Sequence, residues 1–122
     1  MRLFPYTDTA GKLTIGVGRN LTDRGITDAE ARALLDNDIN ICLSALSDFP
    51  WFVRLDPVRQ RVFVDLAFNL GITRLNTFAK MLAASARADW TTASAELLDS
   101  AYAGQVGQRA ITLAQMIETG TA

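Results

Sequence analysis

The side chains best suited to chemistry lie in one short segment near the start of the chain. Asp8 precedes a glycine-containing turn and Thr14 follows it, so a chain reversal brings a carboxylate and a hydroxyl to one end of a small sheet. A carboxylate beside a hydroxyl can hold and deprotonate a water molecule, which is half of the chemistry of glycoside hydrolysis. The other half is a proton donor, and none precedes Asp8, because the first glutamate is Glu30.

Composition excludes several kinds of catalytic site. The chain has 122 residues, 49% hydrophobic, which is typical of one globular domain that can bury a core. It contains no histidine and one cysteine, so a Ser-His-Asp triad, a Cys-His dyad and a His/Cys zinc site are excluded. We expect neither a metal nor a cofactor. Cys42 falls in an apolar helical pattern, which predicts a buried structural thiol.

Charge and hydropathy argue against two classes of partner. A net charge of −1 gives no electrostatic footprint for nucleic acid. No run of about 18 apolar residues could span a membrane. The first residues do not form a signal peptide, because Pro5, Thr7 and Asp8 interrupt the apolar region. We therefore expect a cytoplasmic protein, or one exported by another route.

A hairpin must position the two polar side chains. Residues 10–12 supply the turn, and the alternation of Leu13, Ile15 and Val17 predicts a half-buried strand. The β signal is confined to roughly the first twenty residues. Everything after Ile26 has the periodicity of helices.

Caps and apolar spacing predict five helices. A capping box of Thr27 and Glu30 opens the first, which carries Leu35, Ile39 and Cys42 on one face and runs to about Leu46. The others are predicted from Asp56-Pro57 to Gly71, from about Leu75 to Ala86, from Trp90 after Asp89 through Leu98, and from near Gln108 to Thr119 before Gly120.

These elements predict a mostly helical α+β fold in a single domain, 1–122. A reduced β lobe at 1–26 would be joined by a connecting helix at 27–46 to a helical lobe at 47–122. A cleft between the lobes would place Asp8 and Thr14 at its lip, and clefts between lobes are common substrate sites.

Several motifs occur in order over nearly the whole chain, from Arg2 to Thr121. They are Tyr6-x-Asp8-Thr9-x-Gly11-x-x-Thr14-Ile15-Gly16-x-Gly18, the capping box, Asp56-Pro57-Val58-Arg59, Phe68-Asn69-Leu70-Gly71 and Thr119-Gly120-Thr121. Together they resemble the phage-type lysozymes, the muramidases of glycoside hydrolase family 24.

The resemblance implies a lysozyme-like fold and a bacterial peptidoglycan substrate. Members cleave the β-1,4 bond between N-acetylmuramic acid and N-acetylglucosamine. An endolysin of this kind is made in the host cytoplasm and acts on the cell wall in the periplasm after release. Asp8 matches the catalytic aspartate, Thr14 the threonine that helps to position water, and Arg109 an arginine that pairs with the catalytic glutamate. Asn69 and Gln105 match positions that line the saccharide cleft, and an aromatic near that cleft is matched by Phe78.

One departure from the family pattern concerns the general acid. Members carry a Glu-Gly pair directly before the Arg-Leu that is Arg2-Leu3 here, and that glutamate protonates the departing sugar oxygen. We expect either a muramidase whose acid lies outside these residues or an impaired peptidoglycan-binding or scaffolding module. A regulatory protein without saccharide affinity is a third possibility. Without that glutamate as its partner, Arg109 would pair with an anion, solvent or another acid. Glu30 is expected to serve its helix cap.

The same departure predicts an open apolar groove beside the last helix. Ile111, Leu113, Met116 and Ile117 would border it. Exposed apolar patches invite partners. We therefore expect self-association or a helix donated by another polypeptide.

Each candidate also has a purely structural interpretation. Asp8 could be a turn former, because aspartate side chains bond to nearby backbone. Thr14 alone is an ordinary strand residue, and Arg109 alone is a solvated charge. Phe78 and the two tryptophans have the spacing of core residues.

Overall fold

A computed structural model describes residues 1–122 and confirms the mostly helical α+β fold. A three-stranded antiparallel sheet comes first, in the order β1 (Arg2–Thr7), β2 (Leu13–Gly16) and β3 (Arg19–Asn20). Helices form the rest of the chain. None of them has the length and apolarity needed to cross a membrane.

The chain separates into two compact units, Met1–Asn37 and Asp38–Ala122, and each is described by itself. The predicted division into lobes at 26 and 46 stays a prediction. In the first unit a single residue, Thr14, is buried. The second unit contains nearly all of the hydrophobic core.

The hairpin forms as predicted, but the inward-facing side chains of its second strand differ from the prediction. Thr14 is 4% exposed, whereas Leu13 is 45% and Val17 87% exposed. Val17 lies outside β2 because Gly16 and Gly18, at φ of 69° and 85°, turn the chain toward β3. The apolar alternation predicted that Leu13 and Val17 face inward. Instead Thr14 is the buried residue, and Val17 lies beyond the end of the strand.

The helix predicted after Thr27 is α2 (Asp28–Leu46), preceded by a short α1 (Leu21–Arg24) that the sequence analysis missed. Its capping box is present: Thr27 N donates to Glu30 Oε1 at 2.9 Å, and Glu30 N donates to Thr27 Oγ1 at 3.1 Å. Burial along its apolar face rises toward the end of the helix. Only Leu46 is buried, so Cys42, which is half-buried, is less enclosed than predicted.

Six helices lie in the second unit: α3 (Pro57–Leu70), α4 (Ile72–Leu75), α5 (Ala79–Ala86), α6 (Trp90–Leu98), α7 (Ala101–Val106) and α8 (Gln108–Thr119). The caps predicted for α3, α6 and α8 are present at Asp56, Asp89 and Gly120. A short 3-10 helix at Phe52–Arg54 precedes α3.

Two segments of the second unit differ from the prediction. The helix expected from Leu75 is interrupted, because Thr77 Oγ1 donates to the carbonyl of Arg74 at 2.6 Å and α5 begins only at Ala79. Helix α7 was not predicted. It is short and contains Gly104, a weak helix former, and it depends on the Ser100 cap, whose hydroxyl accepts from Ala103 N at 3.2 Å.

The core of the second unit is built from side chains of α3, α4, α5, α6 and α8 and from the end of α2. Its largest fully buried members are Phe63, Leu46, Leu66, Leu75, Met81, Leu97 and Ile117. Trp51 packs at its edge, with ring centroids 5.1 Å from those of both Phe49 and Phe63. The structural interpretation of this tryptophan is thereby confirmed.

Arg59 joins three helices through one guanidinium. Its Nε donates to the carbonyl of Ile117 at 2.6 Å, and its Nη2 donates to the carbonyl of Glu118 at 2.9 Å. Its Nη1 pairs with Asp56 Oδ1 at 3.1 Å, and the guanidinium lies 4.4 Å from the ring centroid of Trp90. The start of α3, the start of α6 and the end of α8 are thus held by one side chain.

A substitution at Gly120 tests the contacts that Arg59 makes at the end of α8, which are called the Arg59 junction below. Gly120 has φ of 69°, and a Cβ there would lie 2.9 Å from Arg59 Nη1. We expect Gly120→Ala to lower the free energy of unfolding by about 1–2 kcal/mol or more, since a left-handed alanine is strained and displaces the guanidinium. Urea unfolding followed by tryptophan fluorescence measures this.

The matched control is Gly104→Ala, since Gly104 has no atom within 4 Å of a built Cβ and lies inside α7. This variant should be neutral or more stable by about 0.5–1 kcal/mol. Equal stability of the two variants would show that the junction does not need the glycine.

Candidate active site

The hairpin turn fixes the carboxylate of Asp8. Asp8 Oδ1 accepts from the backbone N–H groups of Ala10 at 2.9 Å and Lys12 at 2.8 Å. Its own N–H donates to the carbonyl of Lys12 at 2.9 Å. The turn-forming role proposed for an isolated aspartate is therefore present. It occupies one carboxylate oxygen and leaves Oδ2, on a half-buried residue, free of hydrogen bonds within the protein.

Thr14 is tied to the same residue of the turn. Its Oγ1 donates to the carbonyl of Lys12 at 3.0 Å, so both candidate side chains bond to the backbone of Lys12. Because its proton is used, the hydroxyl can only accept a further hydrogen bond. A water bonded to both side chains would donate one hydrogen to Asp8 and one to Thr14.

Glu30 is held in its ionised form. Arg19 Nη1 lies 2.7 Å from Glu30 Oε1, and the same oxygen accepts from Thr27 N. The hydrogen bond from Arg19, followed by those from Thr27, lowers the pKa of Glu30 to about 2. A carboxyl group of this pKa carries no proton near neutral pH. The expectation that Glu30 serves its helix cap is confirmed.

Arg109 has an acidic partner in the second unit. Its Nη2 lies 2.8 Å from Asp65 Oδ1, so of the partners expected for this arginine, another acid is the one present. Asn69 joins the same group, because its Nδ2 donates to the carbonyl and to Oδ1 of Asp65, each at 2.8 Å. The structure thus brings Arg109 and Asn69 together on one carboxylate.

Gln105 and Phe78 do not belong to that group. Gln105 is exposed, and its Oε1 accepts from Arg74 Nη2 at 3.3 Å. Phe78 is half-buried and packs against the core, yet it also borders a cavity of about 400 Å³ with Lys80 and Glu96. Its structural interpretation as a core residue is confirmed, and its place beside a saccharide cleft stays a prediction.

The sequence analysis missed Asp65 and Tyr102. Asp65 lies one helical turn before Asn69, a spacing that predicts a side-chain pair on α3. Tyr102 is 4% exposed, and no hydrogen bond of good geometry reaches its hydroxyl, although Arg109 lies close enough to lower its pKa. Burial raises the pKa of this phenol, and the charges of Arg109 and Asp65 act on it in opposite directions. No sequence pattern marked the tyrosine.

The groove predicted beside the last helix is largely absent. Leu113 and Ile117 are buried in the core because α8 turns that face toward α3 and α6, while Ile111 is 42% exposed. A smaller depression of about 300 Å³ is lined by Asp65, Arg109 and four other residues. Self-association and helix donation stay predictions.

Comparisons with known proteins extend over both units. A family model described as phage lysozyme matches residues 1–115. Two relatives from Dictyostelium discoideum are a probable T4-type lysozyme 1, 25% identical over 150 residues, and a probable T4-type lysozyme 2, 22% identical over 150 residues. Each match covers 98% of this chain and 88% of the relative.

The Arg19–Glu30 pair predicts an acid-sensitive first unit. Because the folded-state pKa of Glu30 falls from 4.5 to about 2, its contribution to stability is complete above pH 4.5 and is lost as pH falls toward 2. Glu30→Gln should therefore flatten the pH dependence of amide protection in α2 over this window. Hydrogen exchange by NMR measures it.

The matched control is Asp36→Asn, an exposed carboxylate of α2 without an ion pair. It should keep the slope of the wild-type protein. An unchanged slope in Glu30→Gln would show that the ion pair contributes nothing to folding.

Proposed function

The chain belongs to the phage lysozyme family, and from that premise we propose that it is an endolysin-type lysozyme of a phage or prophage. Its substrate would be bacterial peptidoglycan, and the bond hydrolysed would be the β-1,4 bond between N-acetylmuramic acid and N-acetylglucosamine. We further propose that it is made in the host cytoplasm and reaches the wall after release.

The observation that carries this proposal is the constraint on Asp8. Two backbone N–H groups hold Oδ1 and restrict rotation of the carboxylate, while Oδ2 makes no hydrogen bond within the protein. A base that is already oriented loses little freedom when it binds water, which is the condition for efficient proton transfer. The buried hydroxyl of Thr14 accepts the second hydrogen of that water.

The proposed reaction is a single displacement with inversion at the anomeric carbon. Asp8 removes a proton from the water as its oxygen attacks, and a second carboxyl group must protonate the leaving oxygen from the opposite side. Neither Glu30 nor Asp65 is suited to donate that proton. The pKa of Glu30 is about 2, so this group is ionised near neutral pH, and the Asp65 carboxylate forms an ion pair with Arg109.

The ion pairing of Glu30 and Asp65 favours a second candidate function. A domain whose ion-paired carboxylates cannot donate a proton could still bind glycan strands through its polar surface. The alternative is therefore a catalytically impaired peptidoglycan-binding or scaffolding module. The two functions differ in whether glycosidic bonds are broken.

Asp8→Asn separates the two functions. An asparagine oxygen can still accept from Ala10 and Lys12, so the turn is kept while the base is removed. We expect release of reducing ends from purified peptidoglycan to fall by about 10²–10⁴-fold. Pelleting of the protein with peptidoglycan should not change. Clearing of chloroform-treated Gram-negative cells gives a second measure of the same loss.

The control is Asp36→Asn, which removes an exposed carboxylate of α2 and should behave as the wild-type protein does. Equal hydrolysis by wild-type protein and Asp8→Asn would rule out the assigned base. Pelleting without any release of reducing ends by the wild-type protein would select the binding module. No pelleting at all would contradict both functions.

A further inference from the structure

The peptide group between Lys12 and Leu13 is bonded to both residues of the candidate active site. The Lys12 carbonyl accepts from the backbone N–H of Asp8 at 2.9 Å and from Thr14 Oγ1 at 3.0 Å. These two hydrogen bonds use both lone pairs of the oxygen. The direction of this carbonyl therefore sets where the backbone of Asp8 and the hydroxyl of Thr14 lie.

The opposite side of the same peptide group is held by α1. A trans peptide group is planar, so the N–H of Leu13 points away from the direction of the Lys12 carbonyl. That N–H donates to Thr22 Oγ1 at 2.8 Å. A planar group bonded on both sides turns only if one of its hydrogen bonds breaks. Thr22 thus restrains the carbonyl to which Asp8 and Thr14 are bonded.

Local structure explains why a side chain makes this bond. Strand β3 pairs Asn20 with Thr14, and continued pairing would bring the carbonyl of Leu21 opposite Leu13. The chain instead enters α1, where the Leu21 carbonyl accepts a bond within the helix. The hydroxyl of Thr22 takes the place of the backbone acceptor that β3 does not supply.

Helix α1 is short, but both of its ends are fixed. Asn20 caps it, since its Oδ1 accepts from Asp23 N at 3.0 Å and its Nδ2 donates to Asp23 Oδ2 at 2.9 Å. Gly25 N closes the last turn by a 3.0 Å bond to the first carbonyl of the helix. Asp23 also pairs with Lys12 Nζ at 3.2 Å, an exposed ion pair that contributes little. The Thr22 hydroxyl thus lies on a segment that is held at both ends.

Resting on the proposed function, we propose that Thr22 is a positioning residue for Asp8 and Thr14, which acts through the peptide group between Lys12 and Leu13. When the Thr22 hydroxyl is removed, this peptide group can turn, and a water bonded to both candidate side chains loses its orientation. The reacting groups themselves stay present. The loss therefore falls on the reaction step, and substrate binding is kept.

The test compares Thr22→Val with Thr22→Ser. Valine has the shape of threonine without the hydroxyl and a similar helix propensity, so α1 should be kept, whereas serine restores the acceptor. Thermal unfolding checks that each variant folds. The matched control is Thr73→Val, because Thr73 is also exposed, is also the second residue of a four-residue helix, and has a hydroxyl that makes no hydrogen bond within the protein.

The first measurement is amide hydrogen exchange by NMR. Because Thr22 is exposed, water can replace its hydroxyl, so we expect the effect of one net hydrogen bond. In Thr22→Val the amides of Asp8 and Lys12 should exchange about two- to tenfold faster, and that of Leu13 by more, since its own bond is removed. Thr22→Ser and Thr73→Val should exchange as the wild-type protein does.

The second measurement is the release of reducing ends from purified peptidoglycan. Thr22→Val should lower kcat about two- to tenfold and leave KM unchanged, because the restraint acts in the reaction step. Thr22→Ser should restore kcat to within about twofold of the wild-type protein. The Thr73→Val control should keep both constants.

Faster exchange at Leu13 alone overturns the inference, because the Lys12 carbonyl then keeps its direction without Thr22. A wild-type kcat in Thr22→Val, a raised KM in place of a lowered kcat, or no rescue by serine overturns it as well. A wild-type protein that releases no reducing ends contradicts the proposed function instead. The exchange rates of Asp8 and Lys12 do not depend on hydrolysis and still decide whether Thr22 positions them, so the two failures are distinguishable.

Discussion

The second unit depends on the guanidinium of Arg59. Helix α3 carries Asp65 and Asn69, and helix α8 carries Arg109, so the polar group exists only while these helices keep their relative placement. Arg59 provides that placement by bonding to carbonyls at the end of α8 from the start of α3. The same bonds satisfy carbonyls that a helix end leaves without partners. One side chain thus stabilises a helix end and sets the spacing of α3 and α8.

In the first unit, hydrogen bonds to the backbone position the candidate residues, and a hydrophobic core does not. Asp8 and Thr14 are both bonded to Lys12, and the turn that joins β1 to β2 supplies those bonds. Such local bonds need no distant partner and form with the hairpin itself. A carboxylate held in this way can act as a turn former and as a base, because the two roles use different oxygens. The structural and functional interpretations of Asp8 are therefore compatible.

Local signals in the sequence predicted the helix ends well, and signals that act over distance were missed. The caps at Asp56, Asp89 and Gly120 were found because each bonds within its own turn. The face of β2 was misassigned, since the strand ends at Gly16 and Val17 lies outside it. Arg109 was identified as a candidate, but its partner Asp65 lies 44 positions away, and no local pattern joins them. The division of the chain and the roles of the site residues stay predictions.

The contrast in burial between the two units has a consequence for motion. Met1–Asn37 encloses a single side chain, that of Thr14, so little apolar contact opposes its local unfolding. Such a segment exchanges its amide hydrogens and meets proteases before the core around Phe63 does. Asp8, the proposed base, therefore lies on the part of the molecule where the least packing opposes local opening.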